Sequence, residues 1–237
     1  MSRNSRVIEN PAVRTLKWKN EKRQKGEIVR ETGWYYWDKT ANDGKGADVM
    51  VKMPLNFIWL ESAQSFGGFN DKEGKGIYSN EILVSKDAVD KYGKQKLLVK
   101  CGDKELAHGY YADIKETVKG FGGKFCIPVY AMVEVNNEWE IWRILMIGSS
   151  ASAWMTFNET KNNLTKAISC AGKHEVEMKT GATYDEPVFT YIPMDSATSE
   201  KASELCTQVE DYFDYVLSSK HIEVTPSNDL YDNPEEL

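Results

Sequence analysis

Histidine and cysteine are scarce in this chain of 237 residues, and the few present are scattered. His108, His174 and His221 stand far apart, and Cys101, Cys126, Cys170 and Cys206 form no CxxC. A structural zinc site needs ligands in closely spaced pairs, so this spacing argues against one. Isolated thiols of this kind read as packed core residues rather than ligands or bridges. A Walker glycine loop, a GxSxG elbow and an HExxH helix are also missing. Glu81, Asp113 and Glu116 could in principle hold Mg²⁺. No DxD pair sits at the end of a strand, however, which favours solvated or ion-paired carboxylates. No apolar run approaches the roughly 20 residues of a membrane-spanning helix, and the start, MSRNSRVIENPAVR, lacks the apolar stretch of a signal peptide. The expectation is a soluble, cytoplasmic protein without metal, cofactor or catalytic residues.

Charge is plentiful but unevenly placed. The net value of −6 argues at first against a nucleic-acid partner, yet it averages over two opposite ends. Arg3, Arg6, Arg14, Lys17, Lys19, Lys22, Arg23, Lys25 and Arg30 face only Glu9, Glu21 and Glu27 in the first thirty residues. From Asp185 onward the balance reverses, with 13 carboxylates against Lys201 and Lys220. A basic surface paired with an acidic tail has this polarity. The length suits one large domain with appendages. The expected scheme is a flexible basic arm over 1–9, a main domain over 10–195, an amphipathic helix over 196–220 and a disordered acidic tail over 221–237.

Period-two alternation dominates the main domain. A first strand runs from Pro11 to Trp18, and a second, Glu27 to Asp38, contains Trp34-Tyr35-Tyr36-Trp37. Because side chains alternate across a strand, two of these rings point each way. Burial of the second pair is preferred over stacking on a base. A third strand, Val49 to Glu61, includes Pro54 and so must be bulged or at an edge. The glycines of Phe66-Gly67-Gly68-Phe69 and of DKEGKG suggest a tight return, followed by a short strand from Ile77. A helix over 86–92 and a strand over 96–101 come next. Ile114, Val118 and Phe121 give a helical phase ending at Gly122-Gly123. Strands Phe125 to Val135 and Glu138 to Ile147 then form a hairpin about Asn136-Asn137, and a helix follows the Ser149/Ser150 cap. Residues 159–170 read as helical or irregular, and strands 173–179 and 184–193 turn at Thr180-Gly181. Ser199 is the candidate cap of a last helix whose stripe is Ala202, Leu205, Val209, Tyr212, Phe213 and Val216.

Rings and cations lie close together in three places. The first is Arg14, Lys17, Trp18 and Lys19; the second is Arg30 with Trp34 and Tyr36; the third is Tyr110, Tyr111, Lys115, Lys124 and Phe125. A sequence-tolerant binder of single strands needs such a combination, cations for phosphates and rings for bases.

Several stretches also carry a resemblance. GYYADIK, GGKF, VYA and the G-x-x-x-S-A-W-x-x-F ending, with PLNFIWLESAQSFGGFNDKEGKGIYSNE, Asn10-Pro11 and Lys17-Trp18, resemble a family of phage single-stranded DNA-binding proteins over most of residues 10–195. The resemblance implies a mainly β chain with an elaborated OB-fold-type five-stranded barrel, flanking helices and an acidic tail. The implied work is coating and protecting single-stranded DNA during phage replication or recombination. The tail would compete with DNA or recruit replication proteins, through Asp229, Tyr231, Asp232, Glu235, Glu236 and Leu237. Tails of that kind often end in an aromatic residue, and here the last residue is leucine. Two other readings stand beside it: an interaction or virion-associated module using the last helix as its interface, and a metal-dependent nuclease.

Overall fold

The computed structural model describes residues 8–157 and 166–218. Along the chain run β1 (Arg14–Lys19), β2 (Lys22–Gln24), β3 (Glu27–Arg30), β4 (Gly33–Asp38), β5 (Ala47–Met50), β6 (Leu55–Ser62), β7 (Ser65–Asn70) and β8 (Lys75–Ser79). Then come α1 (Lys86–Tyr92), β9 (Leu97–Cys101), β10 (Lys104–Gly109), α2 (Tyr111–Gly120), β11 (Gly123–Val135) and β12 (Glu138–Ile147). The last elements are α3 (Ser149–Phe157), β13 (Lys166–Glu177), β14 (Thr183–Tyr191) and α4 (Ser196–Ser218). The basic arm expected over 1–9 lies outside the described residues apart from its last two positions, and the whole tail from 221 lies outside them.

β11 is the spine. It pairs antiparallel with β12 through ten registered residue pairs, from Cys126 with Ile147 to Val135 with Glu138. The hairpin turns at Asn136 (φ 53°) and Asn137 (φ 66°), the double positive φ of a tight two-residue turn. On its other edge β11 takes β7 and then β6 in one register, Phe125 opposite Phe66 and Val129 opposite Ser62. A shift between Tyr130 and Ala131 leaves Leu60 as the extra residue of a bulge. Beyond this long bent partner the sheet forks: β6 continues to β13 and β14, whereas β7 continues to β8, β9 and β10. On the far side β12 takes β1 in parallel, then β4 and β5 follow antiparallel.

Alternation along β11 gives each face its own core. Ile127, Val129, Ala131 and Val133 join Leu16, Trp34, Phe57, Trp59, Trp142, Trp154 and Phe189 in an aromatic interior that α3 plugs. Trp154 is its centre, with Phe57, Trp59, Phe157 and Phe189 at ring-centroid distances of 5.3 to 6.2 Å. The other face carries Tyr130 and Met132, covered by Ala202, Leu205, Val209 and Phe213 of α4. A third cluster, around Phe66, Ile77, Val99, Ile114 and Val118, holds α2 against the lower branch of the fork.

The protein is mainly β, but strand pairing gives one 12-stranded mixed sheet among the described residues, with no closed five-stranded barrel. The sheet curls until its two arms meet through side chains instead of a ladder. Trp34 Nε1 donates to Cys170 Sγ at 3.3 Å, Trp18 Nε1 to the Asp185 carbonyl at 3.1 Å, and Thr32 Oγ1 to Asp185 Oδ2 at 2.5 Å.

Other expectations need correction. Glu27 to Asp38 is two strands, interrupted at Glu31-Thr32, and Val49 to Glu61 is also two, with Pro54 in the gap where no ladder donor is needed. Phe66 to Phe69 is strand, not turn. Its Gly68 serves close approach: a Cβ there would meet the Gly122 carbonyl oxygen at 2.5 Å. Lys166 to Cys170 opens β13. The last helix is preceded by Asp195, whose Oδ1 accepts from the Thr198 amide at 2.7 Å, so Ser199 is not the cap.

One polar network ties these layers together. Glu81, at the end of the Ile77-Tyr78-Ser79-Asn80-Glu81 run, accepts from Arg143 Nε at 2.6 Å and from the Tyr130 hydroxyl at 2.8 Å. Asn10 Nδ2 donates onward to Tyr130 at 2.9 Å and to Tyr212 of α4 at 3.4 Å. Burial opposes the Arg143 charge, but Glu81 beside it raises its pKa all the same. Burial and then Glu81 hold the Tyr130 hydroxyl well above its usual range. The side chains of Arg143 and Glu81 are only 10% and 11% exposed, so removing one partner strands a buried charge. Glu81→Ala should cost about 3–5 kcal/mol in denaturant unfolding.

A second carboxyl lies under α4, with no ion-pair partner among the described residues. Burial pushes Glu61 from its ordinary 4.5 up to about 7; the Ser62 amide opposes the shift and Glu210 adds to it. Ionising Glu61 is therefore harder in the folded state than in the unfolded one. The resulting penalty is absent below pH 4.5 and complete above about pH 7. Thermal midpoints of the wild type should fall across that window, and Glu61→Gln should flatten the fall and raise the midpoint at pH 8.

Candidate nucleic-acid interface

The ring-and-cation clusters divide between the two faces of the sheet. On β1, Leu16 belongs to the aromatic interior, so Arg14 and Trp18 share its side while Lys17 and Lys19 take the other. Trp34 is fully buried, edge-on to Trp18 at 5.3 Å, and so is a core residue and not a base-stacking one. Tyr36 is half-buried and leans on Trp142 at 6.2 Å. On β11, Phe125 packs on the interior while Lys124 is exposed on the opposite side. Tyr111 lies flat on Phe66 at 5.4 Å and edge-on to Phe125 at 5.2 Å, joining two cores. Sequence interleaving such as Lys17-Trp18-Lys19 is thus the ordinary signature of a half-buried strand. It separates ring from cation by the thickness of the sheet.

On the outer side, strand pairing does bring together cations that are distant in sequence. Burial pushes the Cys126 thiol up to about 12, while Arg143, Lys17 and Lys124 all pull it down, which places the three charges around one thiol. Lys19 is ion-paired to Asp48 at 2.6 Å, and Arg30 Nε donates to the Asn20 carbonyl at 3.2 Å. These cations are thus partly engaged within the protein.

The third cluster keeps its surface. Tyr110 precedes α2 and is 41% exposed, with Lys96 Nζ 5.5 Å from its ring centroid. Phe121, expected on the buried stripe, follows α2 and is 44% exposed. The helix ends before it, so its side chain leaves the phase of Ile114 and Val118. Lys115 and Lys119 lie one helical turn apart on one exposed flank, and among the described residues neither they nor Lys124 has an ion-pair partner. Only three aromatic side chains among the described residues are as exposed as this, and two of them bracket α2. The third is Tyr191, which Phe157 at 4.5 Å and Lys166 at 4.8 Å already cover. Phe121 is therefore an addition to the sequence-based set, and the Gly122-Gly123 stop directly after it is the signal that marks it.

Among the described residues no cluster of three or more His, Cys, Asp or Glu could hold a metal ion, and no helix is long and apolar enough to cross a membrane. Glu81 is committed to Arg143 and Tyr130. Comparison with protein families, with characterised proteins and with solved structures finds no match for this chain.

Proposed function

We propose that this protein binds single-stranded DNA, sequence-tolerantly and without making or breaking bonds, and that it coats such strands during replication or recombination of a phage genome. The observation that carries the reading is the exposed ring at each end of α2 with lysines between and beside them. Eleven residues of helical rise set Tyr110 and Phe121 about 16 Å apart, a span on which an extended strand can stack separated bases. Lys96, Lys115, Lys119 and Lys124 then meet the intervening phosphates. The curl of β1, β4, β6, β11 and β12 round one aromatic interior supports an OB-type reading of the upper half. The acidic segment from 221 to 237 would compete with DNA for the same cations as a tethered polyanion. The stripe of α4 is buried on β6 and β11, which removes the surface that an interaction module would have used.

Each stacked base contributes roughly 1–3 kcal/mol. Fluorescence anisotropy with labelled oligo(dT) should therefore show Tyr110→Ala with Phe121→Ala weakening binding about tenfold or more. Lys119→Ala should reduce the slope of log affinity against log salt by about 0.7, and a chain ending at Pro226 should bind more tightly than the full chain. Absence of binding by either chain at low salt would refute the proposal.

A further inference from the structure

Arg14 is held in a way that bulk phosphate binding does not require. Its Cζ lies 4.9 Å from the Tyr36 ring centroid and 5.2 Å from that of Trp142. Rings on opposite faces of the guanidinium would stand much further apart than the 6.2 Å between these two, so both support it from one side. Trp142 is itself fixed, its Nε1 donating to Glu140 Oε2 at 2.6 Å. Glu140 also stands 3.8 Å from Arg14 Nε, and the two side chains are 28% and 34% exposed. Among the described residues no hydrogen bond reaches the guanidinium, which carries five N–H donors. The result is an oriented, partly exposed fork of donors with a carboxylate beside it.

The surroundings select the partner. Asp38 lies within electrostatic reach of Arg14, and with Glu140 it makes this end of β1 unfavourable for a phosphate. A neutral base does not meet that repulsion. Guanine presents two adjacent acceptors, O6 and N7, to an arginine fork, and offers N–H donors from its neighbouring edge to a carboxylate. Adenine places an amino donor beside N7, and thymine has no adjacent acceptor pair, so neither satisfies both groups; cytosine can meet the fork with O2 and N3 but offers the carboxylate one amino group, where guanine offers both N1–H and N2–H.

We propose that Arg14 and Glu140, steadied by Tyr36 and Trp142, form a base-edge site that prefers guanine within a bound single strand. The proposal rests on the single-stranded DNA reading above and adds a sequence preference to it.

The test compares the full chain's affinities for labelled oligo(dT) and for the same oligomer with guanine at regular positions. The wild type should favour the guanine oligomer about tenfold, the scale of one good bidentate contact. Arg14→Lys, which keeps the charge but loses the planar fork, should bring the ratio of affinities close to one. Glu140→Gln, which leaves Arg14 in place, should lower the ratio as well. A wild-type ratio of one, or a ratio unchanged in both variants, overturns the site, including the case where both affinities fall equally because Arg14 touches phosphate. If neither oligomer binds the wild type, the DNA-binding reading fails and the site falls with it. Binding that depends on Tyr110 and Phe121 but shows no guanine preference removes the site alone.

Discussion

Alternation along β11 is the constraint on which the rest of the molecule depends. Both faces of this strand are buried, one against rings and α3, the other beneath α4, so no residue between Ile127 and Val133 is exposed. A shift of one position would exchange the two sets and bring Tyr130 into the interior. The hairpin to β12 and the joint register with β6 and β7 guard against that shift from both edges. The bulge at Leu60 then puts consecutive residues toward α4, Leu60 into its apolar contact and Glu61 beneath its acidic flank.

The helix above this face is held by opposing contributions. Apolar burial along Ala202, Leu205, Val209 and Phe213 drives docking, and Tyr212 adds a link through Asn10 to the Glu81–Arg143 pair. Glu61 and Glu210 act against it; burial, Glu210 and then Glu61 together raise the neighbouring Cys206 thiol to about 11. The docked helix and the start of the chain share one polar anchor, so what loosens one should loosen the other.

Local chemistry made part of this legible in sequence. The Asn136-Asn137 turn, α1 from Lys86 to Tyr92 and the stripe of α4 follow from turn residues and periodicity alone. The fork of the sheet and the parallel pairing of β1 with β12 do not, because they join segments distant in sequence, from 55 residues for Gly68 with Gly123 to more than a hundred for β1 with β12, and depend on which edges remain open. Phe66 to Phe69 was misread because glycine signals both a turn and a close backbone approach, and only the position of Gly122 decides between them. The candidate site is only partly legible in sequence for a related reason. Lys17-Trp18-Lys19 and Lys124-Phe125 read as mixed ring-and-cation surface, but a strand sends the ring inward and the cation outward. The positions just outside α2 escape that sorting, and there Tyr110 and Phe121 remain exposed beside lysines.

The central claim is that a single strand stacks on the exposed rings beside α2 and not on Trp18 and Trp34. Ultraviolet cross-linking of the full chain to a bromodeoxyuridine-substituted single strand, with the attachment sites read by peptide mass spectrometry, tests this most directly. The account expects adducts at Tyr110 and Phe121 and none at Trp18 or Trp34. Adducts concentrated at Trp18 and Trp34, with Tyr110 and Phe121 unmodified, would contradict it.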